Sequence, residues 1–419
     1  MTAHGPDPVE STLDTVFRME SARIVATAAR IVRDVGIAEE LAQDALVAAL
    51  EQWPRTGVPE RPGAWLTAAA KHRAVDLVRR RETYARKLAE VGRTLSEESY
   101  DPEPPGPGDI DDDVLRLIFT ACHPVLSAEA RAALTLRLVG GLRTDEIARA
   151  FLAQEATVAA RITRAKRTLA KAGVDFEVPY GEDRAARLGS VLEVIYLIFN
   201  EGYAATAGDD LLRPGLCEDA LRLARTLAAL VPREGEAQGL AALLELQASR
   251  TAARTGPDGR PVLLAAQDRR RWNRLLVRRG FAALERAGDG RSYGPYALQA
   301  AIAACHARAR SYEETDWATI AALYGRLGVL APSPVVELNR AVAVSMAEGP
   351  AAALPLVDAL TAEPALAGYH LLPSVRGDLL ARLGRAAEAR AEFERAAVLT
   401  RNESERALLR GRARELGER

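Results

Sequence analysis

Apolar residues recur at helical spacing along most of the chain. Leu13, Val16, Phe17, Ile24, Ala28 and Ile31 share one broad face of a helix over residues 11–33, and Gly36 is expected to end it. Leu41, Ala45, Leu46 and Leu50 form the inward stripe of a second helix over residues 37–53. PRTGVPERPG, residues 54–63, carries three prolines and two glycines and reads as non-helical. A third helix follows over residues 64–81, with Trp65, Leu66, Ala69, Val75 and Val78 as its apolar positions. The pattern then lapses in EESYDPEPPGPGDIDDD, which reads as a flexible tether. It resumes with Ser127 as cap of a helix bearing Leu134, Leu136 and Leu138, closed by Gly140-Gly141. Thr144 can cap the short helix DEIARAF, a turn falls at residues 152–155, and a long helix, ATVAARITRAKRTLAKAG, follows. From residue 180 onward the chain is a series of helical segments with short Gly/Pro breaks.

The segmentation predicts an all-α chain with a module at 11–82, an acidic Pro/Gly-rich linker at 83–110, a second module at 111–173, and a helical domain at 180–419. Composition agrees. Of 419 residues, 48% are hydrophobic and only 5% aromatic, enough to bury cores but weighted toward helix rather than strand. The net charge of −1 predicts no nucleic-acid binding by the chain as a whole, yet it averages over modules and hides local basic faces. Cys122, Cys217 and Cys305 form no CxxC pair and suit a reducing compartment. Cys122-His123 and Cys305-His306 admit a zinc reading, but buried small side chains are the better account, and no metal or cofactor is expected. The N-terminus lacks a signal pattern and no apolar run reaches bilayer length, so a cytoplasmic protein without membrane association is expected.

Two helices concentrate cationic side chains. In the last helix of the second module, Val158, Ile162, Ala165 and Leu169 turn inward, while Thr157, Arg161, Arg164, Lys166 and Arg167 lie off that stripe. A capped helix, a short turn and a basic helix make a helix-turn-helix pattern, in which arginine can read guanine or hold phosphate. In the third helix of the first module, Lys71, His72, Arg73, Arg79, Arg80 and Arg81 cluster around Asp76, behind a Pro/Gly loop. Such a helix can track a DNA backbone and hold an unstacked base; alone, it reads equally well as a charged surface helix.

These two stretches together resemble the sigma-70 family, specifically the small extracytoplasmic-function class. AEELAQDALVAALEQW is similar to region 2.2 and GAWLTAAAKHRAVDLVRRR to regions 2.3 and 2.4, while GLRTDEIARAFLAQEATVAARITRAKRTL is similar to region 4.2. The resemblance implies that Glu40, Gln43 and Asp44 dock on the clamp helices of the polymerase β′ subunit. It implies that Lys71, His72, Arg73, Asp76, Arg79 and Arg80 face the −10 element, with the preceding loop taking a flipped base. Thr157, Arg161, Arg164, Lys166 and Arg167 would face the −35 element, with the second module against the β flap, and the linker would run toward the RNA exit path. His72 stands where many relatives carry Asn, and Ala156, Ala159 and Ala160 make the recognition helix small-surfaced, so promoter preference is not transferable.

Near the C-terminus, GDLLARLGRAAEARAEFERAAVLT resembles one tetratricopeptide repeat, with Gly377, Gly384, Ala389, Phe393 and Ala396 at the small and aromatic positions where two antiparallel helices meet. VVELNRAVAVSMAEGPAAALPLVDAL reads as a degenerate neighbour. FNEGYAAT, QDRRRW, GPYALQAAIAACHA and SPVVELNRAVAV are similar to blocks of a sigma subgroup whose tetratricopeptide-like tail stands in for a separate regulator. Asn200, Glu201, Arg269, Trp272, Gln299, His306 and Asn339 are the candidates there for a surface that binds a protein or small-molecule signal; helix packing and capping would account for the same residues. A helix-turn-helix regulator with a tetratricopeptide-like sensor is the alternative, and it leaves the first three helices unexplained. No G-x-S-x-G, H-E-x-x-H or phosphate-cradling glycine loop is present, and no enzyme activity is expected.

Overall fold

The computed structural model describes residues 8–90, 107–151, 153–179, 181–203, 214–256, 261–288, 290–400 and 402–417. Among these the secondary structure is helical, with one bridge between Thr255 and Pro261 in place of any strand. The chain divides into two compact units, residues 1–197 and 198–419.

The first unit opens with α1 (Pro8–Val32), α2 (Val35–Thr56) and α3 (Pro62–Glu90). Ile24, Ala28, Leu41, Ala45, Trp53, Leu66, Ala70 and Ala74 fill the core between them. The α1–α2 corner is not made by Gly36. Arg33 takes the left-handed conformation (φ 53°), and the Asp34 side chain accepts from the amides of Gly36 (2.7 Å) and Ile37 (3.0 Å), placing Gly36 inside α2. An Asp cap satisfying two open amides outweighs the strain of a non-glycine residue at that φ. The expected non-helical stretch from residue 54 begins later, because Pro54 rides in the final turn of α2 and Gly57 closes the helix onto the Trp53 carbonyl at 2.9 Å. Leu50 is not buried. It lies nine residues after Leu41, about two and a half turns, so it points to the opposite side and is 42% exposed. Helix α3 continues to Glu90, into the segment expected as linker; residues 91–106 of that linker lie outside the described residues.

Helices α4 (Pro107–Ala121), α5 (Ala128–Leu138), α6 (Thr144–Ala150) and α7 (Glu155–Lys171) follow. Ser127 accepts from the Ala130 amide to start α5, and Gly141 (φ 71°) lets the Leu142 amide return to the Leu136 carbonyl at 3.0 Å to end it. At α6 the cap shifts by one residue from Thr144: the Arg143 amide donates to the Glu146 carboxylate at 2.8 Å, the reciprocal half of a capping box. Cys122 is buried, with its sulfur 3.2 Å from the Thr135 hydroxyl.

The division between units falls inside α8 (Gly181–Tyr203). Within the first unit, Ser190 donates to the Cys122 carbonyl at 2.6 Å and Glu193 pairs with Arg131.

The second unit continues with α9 (Pro214–Leu230), α10 (Gly235–Ala248), α11 (Arg274–Arg286), α12 (Pro295–Arg308), α13 (Trp317–Leu330), α14 (Pro334–Ala347), α15 (Pro350–Leu360), α16 (Leu371–Arg382), α17 (Ala386–Leu399) and α18 (Glu403–Gly417). Successive helices from α12 to α18 pack as neighbours, and α10 packs against α9, α11 and α12. The buried polar side chains of α10 are matched: Glu245 accepts two bonds from Arg225 (2.7 and 3.0 Å), and Gln238 bridges the Ala228 carbonyl and Arg286. Between α16 and α17, a side chain at Gly377 would meet the Phe393 ring at 3.0 Å, so the glycine sets how closely these helices approach.

Candidate nucleic-acid interface

Three surfaces of the first unit gather the predicted site residues. On α2, Glu40 and Asp44 are exposed and Gln43 is half-buried beside them. Val47 (53% exposed) and Leu50 continue the same face at i+3 and i+4 spacings. An apolar, acid-rimmed helical face of this kind suits docking onto another protein. The exposed Val47 was not singled out from sequence; a misplaced stripe hid it.

On α3, His72, Asp76, Arg79 and Arg80 are exposed and follow i, i+4, i+7, i+8 spacing, so they share one face. Lys71 and Arg73 flank them, half-buried, and the Arg73 guanidinium rests on the Ala69 carbonyl at 3.3 Å. Lys71 also lines an open cavity of about 650 Å³ with Arg61, Ala64 and Thr67, which face Met19 and Arg23 of α1. Met19 is 72% exposed at its rim. The apolar wall and cationic edge fit an unstacked base with its phosphate. The Trp53 and Trp65 rings meet edge-to-face at 5.6 Å and brace the start of α3.

On α7, Val158, Ile162, Ala165 and Leu169 are buried as expected, and Thr157, Arg164 and Arg167 are exposed, with Arg161 half-buried. Lys166 departs from this group. It falls nine residues after Thr157, about two and a half turns, and so lies on the other side of the helix. There its ammonium pairs with Glu39 of α2, which also accepts from Arg137 of α5. Glu39 is only 6% exposed. A second buried carboxylate, Asp113 of α4, pairs with Arg30 of α1 at 3.1 Å and with Arg116 at 2.5 Å. These two acids join the first three helices to the next four. Sequence reasoning passed over both, although Glu39 carried a signal: it sits on the inward stripe between Ala38 and Ala42.

In the second unit three of the seven candidates come together. Arg269 donates to the His306 carbonyl, to the Ala309 carbonyl at 2.9 Å and to the Thr315 hydroxyl at 3.2 Å, and its guanidinium lies 4.9 Å from the Trp272 ring. His306 meets Trp317 edge-on at 5.1 Å. Burial, reinforced by Arg250 and Arg269, pushes the His306 imidazole down to about 4. This cluster closes the end of α12 onto the loop before α13. Asn200 and Asn339 are exposed on α8 and α14, Glu201 is half-buried on α8, and Gln299 returns a bond to the Pro295 carbonyl within α12. Residues 204–206 of the FNEGYAAT block lie outside the described residues. No group of three or more His, Cys, Asp or Glu able to hold a metal occurs among the described residues. No helix among them is long and apolar enough to cross a membrane.

The first unit thus presents two separate basic helices on an all-helical scaffold. Residues 16–83 match Sigma-70 region 2, residues 116–169 match Sigma-70, region 4, and residues 187–288 match the family of unknown function DUF6596. An uncharacterized protein of Rhizobium meliloti (strain 1021) is 47% identical over 386 residues, covering 91% of this chain and 90% of its own length. No solved structure matches the chain. The chain thus carries the region 2 and region 4 domains of the sigma-70 family. Proteins of this family are DNA-binding transcription factors rather than enzymes, and regions 2 and 4 carry a role in transcription initiation through core RNA polymerase and promoter DNA.

Proposed function

We propose that this chain is a sigma factor of the extracytoplasmic-function type, working in the cytoplasm, with a tetratricopeptide-like C-terminal domain that regulates it. The observation that carries the two-module reading is the spacing of the matched regions. Region 2 ends at residue 83 and region 4 begins at 116, and α3 and α4 occupy both ends of that interval, leaving no room for a further domain. In this reading the α2 face of Glu40, Gln43, Asp44, Val47 and Leu50 docks on the β′ clamp, and the second module sits near the β flap. His72, Arg79 and Arg80, with Lys71, Arg73 and Asp76, face the −10 element, and Thr157, Arg161, Arg164 and Arg167 face the −35 element.

The Glu39 contact bears on how such a factor works. Elements near −35 and −10 are about 25 base pairs apart, on the order of 85 Å along B-DNA. A direct ion pair between region 2 and region 4 is incompatible with that span, and Lys166 is unavailable to DNA while it lasts. The packed arrangement is therefore a closed state that gives way on the promoter. Glu39→Gln should raise the radius of gyration of the free protein and increase promoter-fragment binding roughly tenfold, about 1.4 kcal/mol; an unchanged scattering profile would count against a closed state.

The tetratricopeptide-like reading draws support from the α16–α17 hairpin, where Gly377, Ala389, Phe393 and Ala396 meet in the core. The decisive assay is reconstitution of the full chain with core polymerase and promoter-specific transcription. Removal of the tail is best made after Tyr203, because Ser190 and Glu193 of α8 are bonded within the first unit. Raised transcription from that truncation supports inhibition by the tail, and loss supports a positive role. No binding of core polymerase, with or without the tail, overturns the sigma-factor reading.

A further inference from the structure

The second unit contains a cavity that transcription does not call for. It measures about 280 Å³ and lies between Arg250, Arg254 and residues 261–267 on one side and the helices α16 and α18 on the other. Arg250, Arg254 and Arg412 converge on it, opposed by Glu405, with His370 beside that carboxylate. Apart from Gln267 and Ser374 the rest of the wall is apolar, and two of its leucines are left open to solvent: Leu263 is 50% exposed and Leu371 40%.

The cations differ in how they are satisfied. Arg412 pairs with Asp378 and lies over the Phe393 ring. Among the described residues Arg254 makes no ion pair, and Glu405 acts on it only through space; its guanidinium donates to the Tyr203 carbonyl and stacks 3.8 Å from the Tyr203 ring centroid. Arg250 approaches the same ring at 5.6 Å and otherwise bonds only the Gln247 amide oxygen. Two guanidinium groups on one ring repel each other, and desolvation sharpens the cost. Glu405 is already committed to His370 at 3.1 Å and to the Thr400 hydroxyl at 2.9 Å. In the same wall Gln267 donates to the Val262 carbonyl. Two arginines that make no ion pair leave positive charge on this wall unmatched, which suits an anion.

We propose that this cavity binds a small carboxylate with an apolar body of about eight to twelve non-hydrogen atoms, the carboxylate on Arg250 and Arg254 and the body on Leu263 and Leu371. Ligand pockets combine such apolar walls with a few convergent polar groups, and a volume near the low end of their range fits a molecule of that size. Arginine is the side chain suited to bidentate hold of a carboxylate. Glu405 excludes a second negative charge near His370, which favours a monoanion. The inference deepens the regulatory reading of the tail by naming a ligand class for it, and its test needs neither polymerase nor DNA, so the two can fail separately.

The test is calorimetric titration of the full chain with octanoate, octan-1-ol and inorganic phosphate. Octanoate should bind at one site, with the neutral alcohol and phosphate each at least tenfold weaker. Arg250→Gln should weaken octanoate at least tenfold, as should Leu263→Asp, which places a carboxylate at a position exposed enough to leave folding intact; unchanged thermal midpoints check this. Equal binding of octanoate and octanol would show an apolar crevice only and overturn the proposal. So would phosphate binding as tightly as octanoate, insensitivity to both variants, or no binding of octanoate.

Discussion

Arginine does different work in the two units. On α3 and α7 of the first unit, Arg79, Arg80, Arg164 and Arg167 stand exposed on their helix faces. In the second unit arginines act mainly as staples: Arg225 onto Glu245, Arg376 onto Asp358 and Glu392, Arg382 onto the Ser345 carbonyl, and Arg269 onto two carbonyls and a hydroxyl. The side chain is the same, and the chain as a whole is nearly neutral. What separates an interface from a scaffold is whether the guanidinium already has a partner. By that criterion Lys166 belongs with the staples despite its place on the basic helix, while Arg250 and Arg254 stand between the two groups: each is bonded, but neither to a carboxylate.

The largest expected effect breaks a staple. Arg269→Ala removes three hydrogen bonds from a charged donor, strands two carbonyls and uncovers Trp272, and should lower the stability of the second unit by about 3 kcal/mol in urea denaturation. Arg79→Ala should change it by less than about 0.5 kcal/mol, because an exposed arginine without partners contributes little to folding. Similar losses from both would erase the distinction.

A comparable effect comes from pH. His306 is held neutral by burial and by Arg250 and Arg269, its ionisation falling from the usual 6.5 to about 4. The unfolded chain takes up a proton that the folded one refuses, so stability is complete above about pH 7 and declines between 6.5 and 4, by at most about 3 kcal/mol. Denaturation midpoints at pH 7, 5.5 and 4.5 measure the decline, and His306→Gln should flatten it.

Smaller effects test the exposed set. Arg164→Ala should reduce promoter-specific transcription about 10- to 100-fold, corresponding to about 1–3 kcal/mol for one base-reading contact, with discrimination relaxed at one position of the −35 element. Arg79→Gln should weaken promoter binding more evenly across sequences and lower the slope of log affinity against log salt by about 1. If Arg164→Ala left sequence preference untouched while Arg79→Gln altered it, the roles assigned to the two basic helices would be exchanged.

Much of this was legible before any coordinates. The apolar spacing of Val158, Ile162, Ala165 and Leu169 identifies the buried side of α7, and the Ser127 cap and the Gly140-Gly141 stop bracket α5, since these depend on interactions within a few residues. Leu50 was misjudged although its spacing of nine from Leu41 already places it half a turn away; Lys166 likewise lies half a turn from Thr157, and the structure pairs it with Glu39. Pro54 looked like a break, yet it forgoes only the one i→i−4 bond to the carbonyl of exposed Leu50, and the helix ends two residues later at Thr56. Arg33 in place of Gly36 at the first corner depended on Asp34 finding two amides to cap.

The sequence by itself determined the helices, their inward stripes, the order of the two basic modules and the resemblance they carry, because helix periodicity and capping are local and are written in consecutive residues. Only the tertiary structure decided which charges are spent. Glu39 meets Lys166 and Arg137, and Asp113 meets Arg30, across separations of 127, 98 and 83 residues that no local pattern encodes. Arg250, Arg254 and Glu405 likewise share one cavity only because chain segments distant in sequence are packed there. An ion pair or a pocket is a property of groups brought together, and the energy that selects it appears only once water has been excluded from between them.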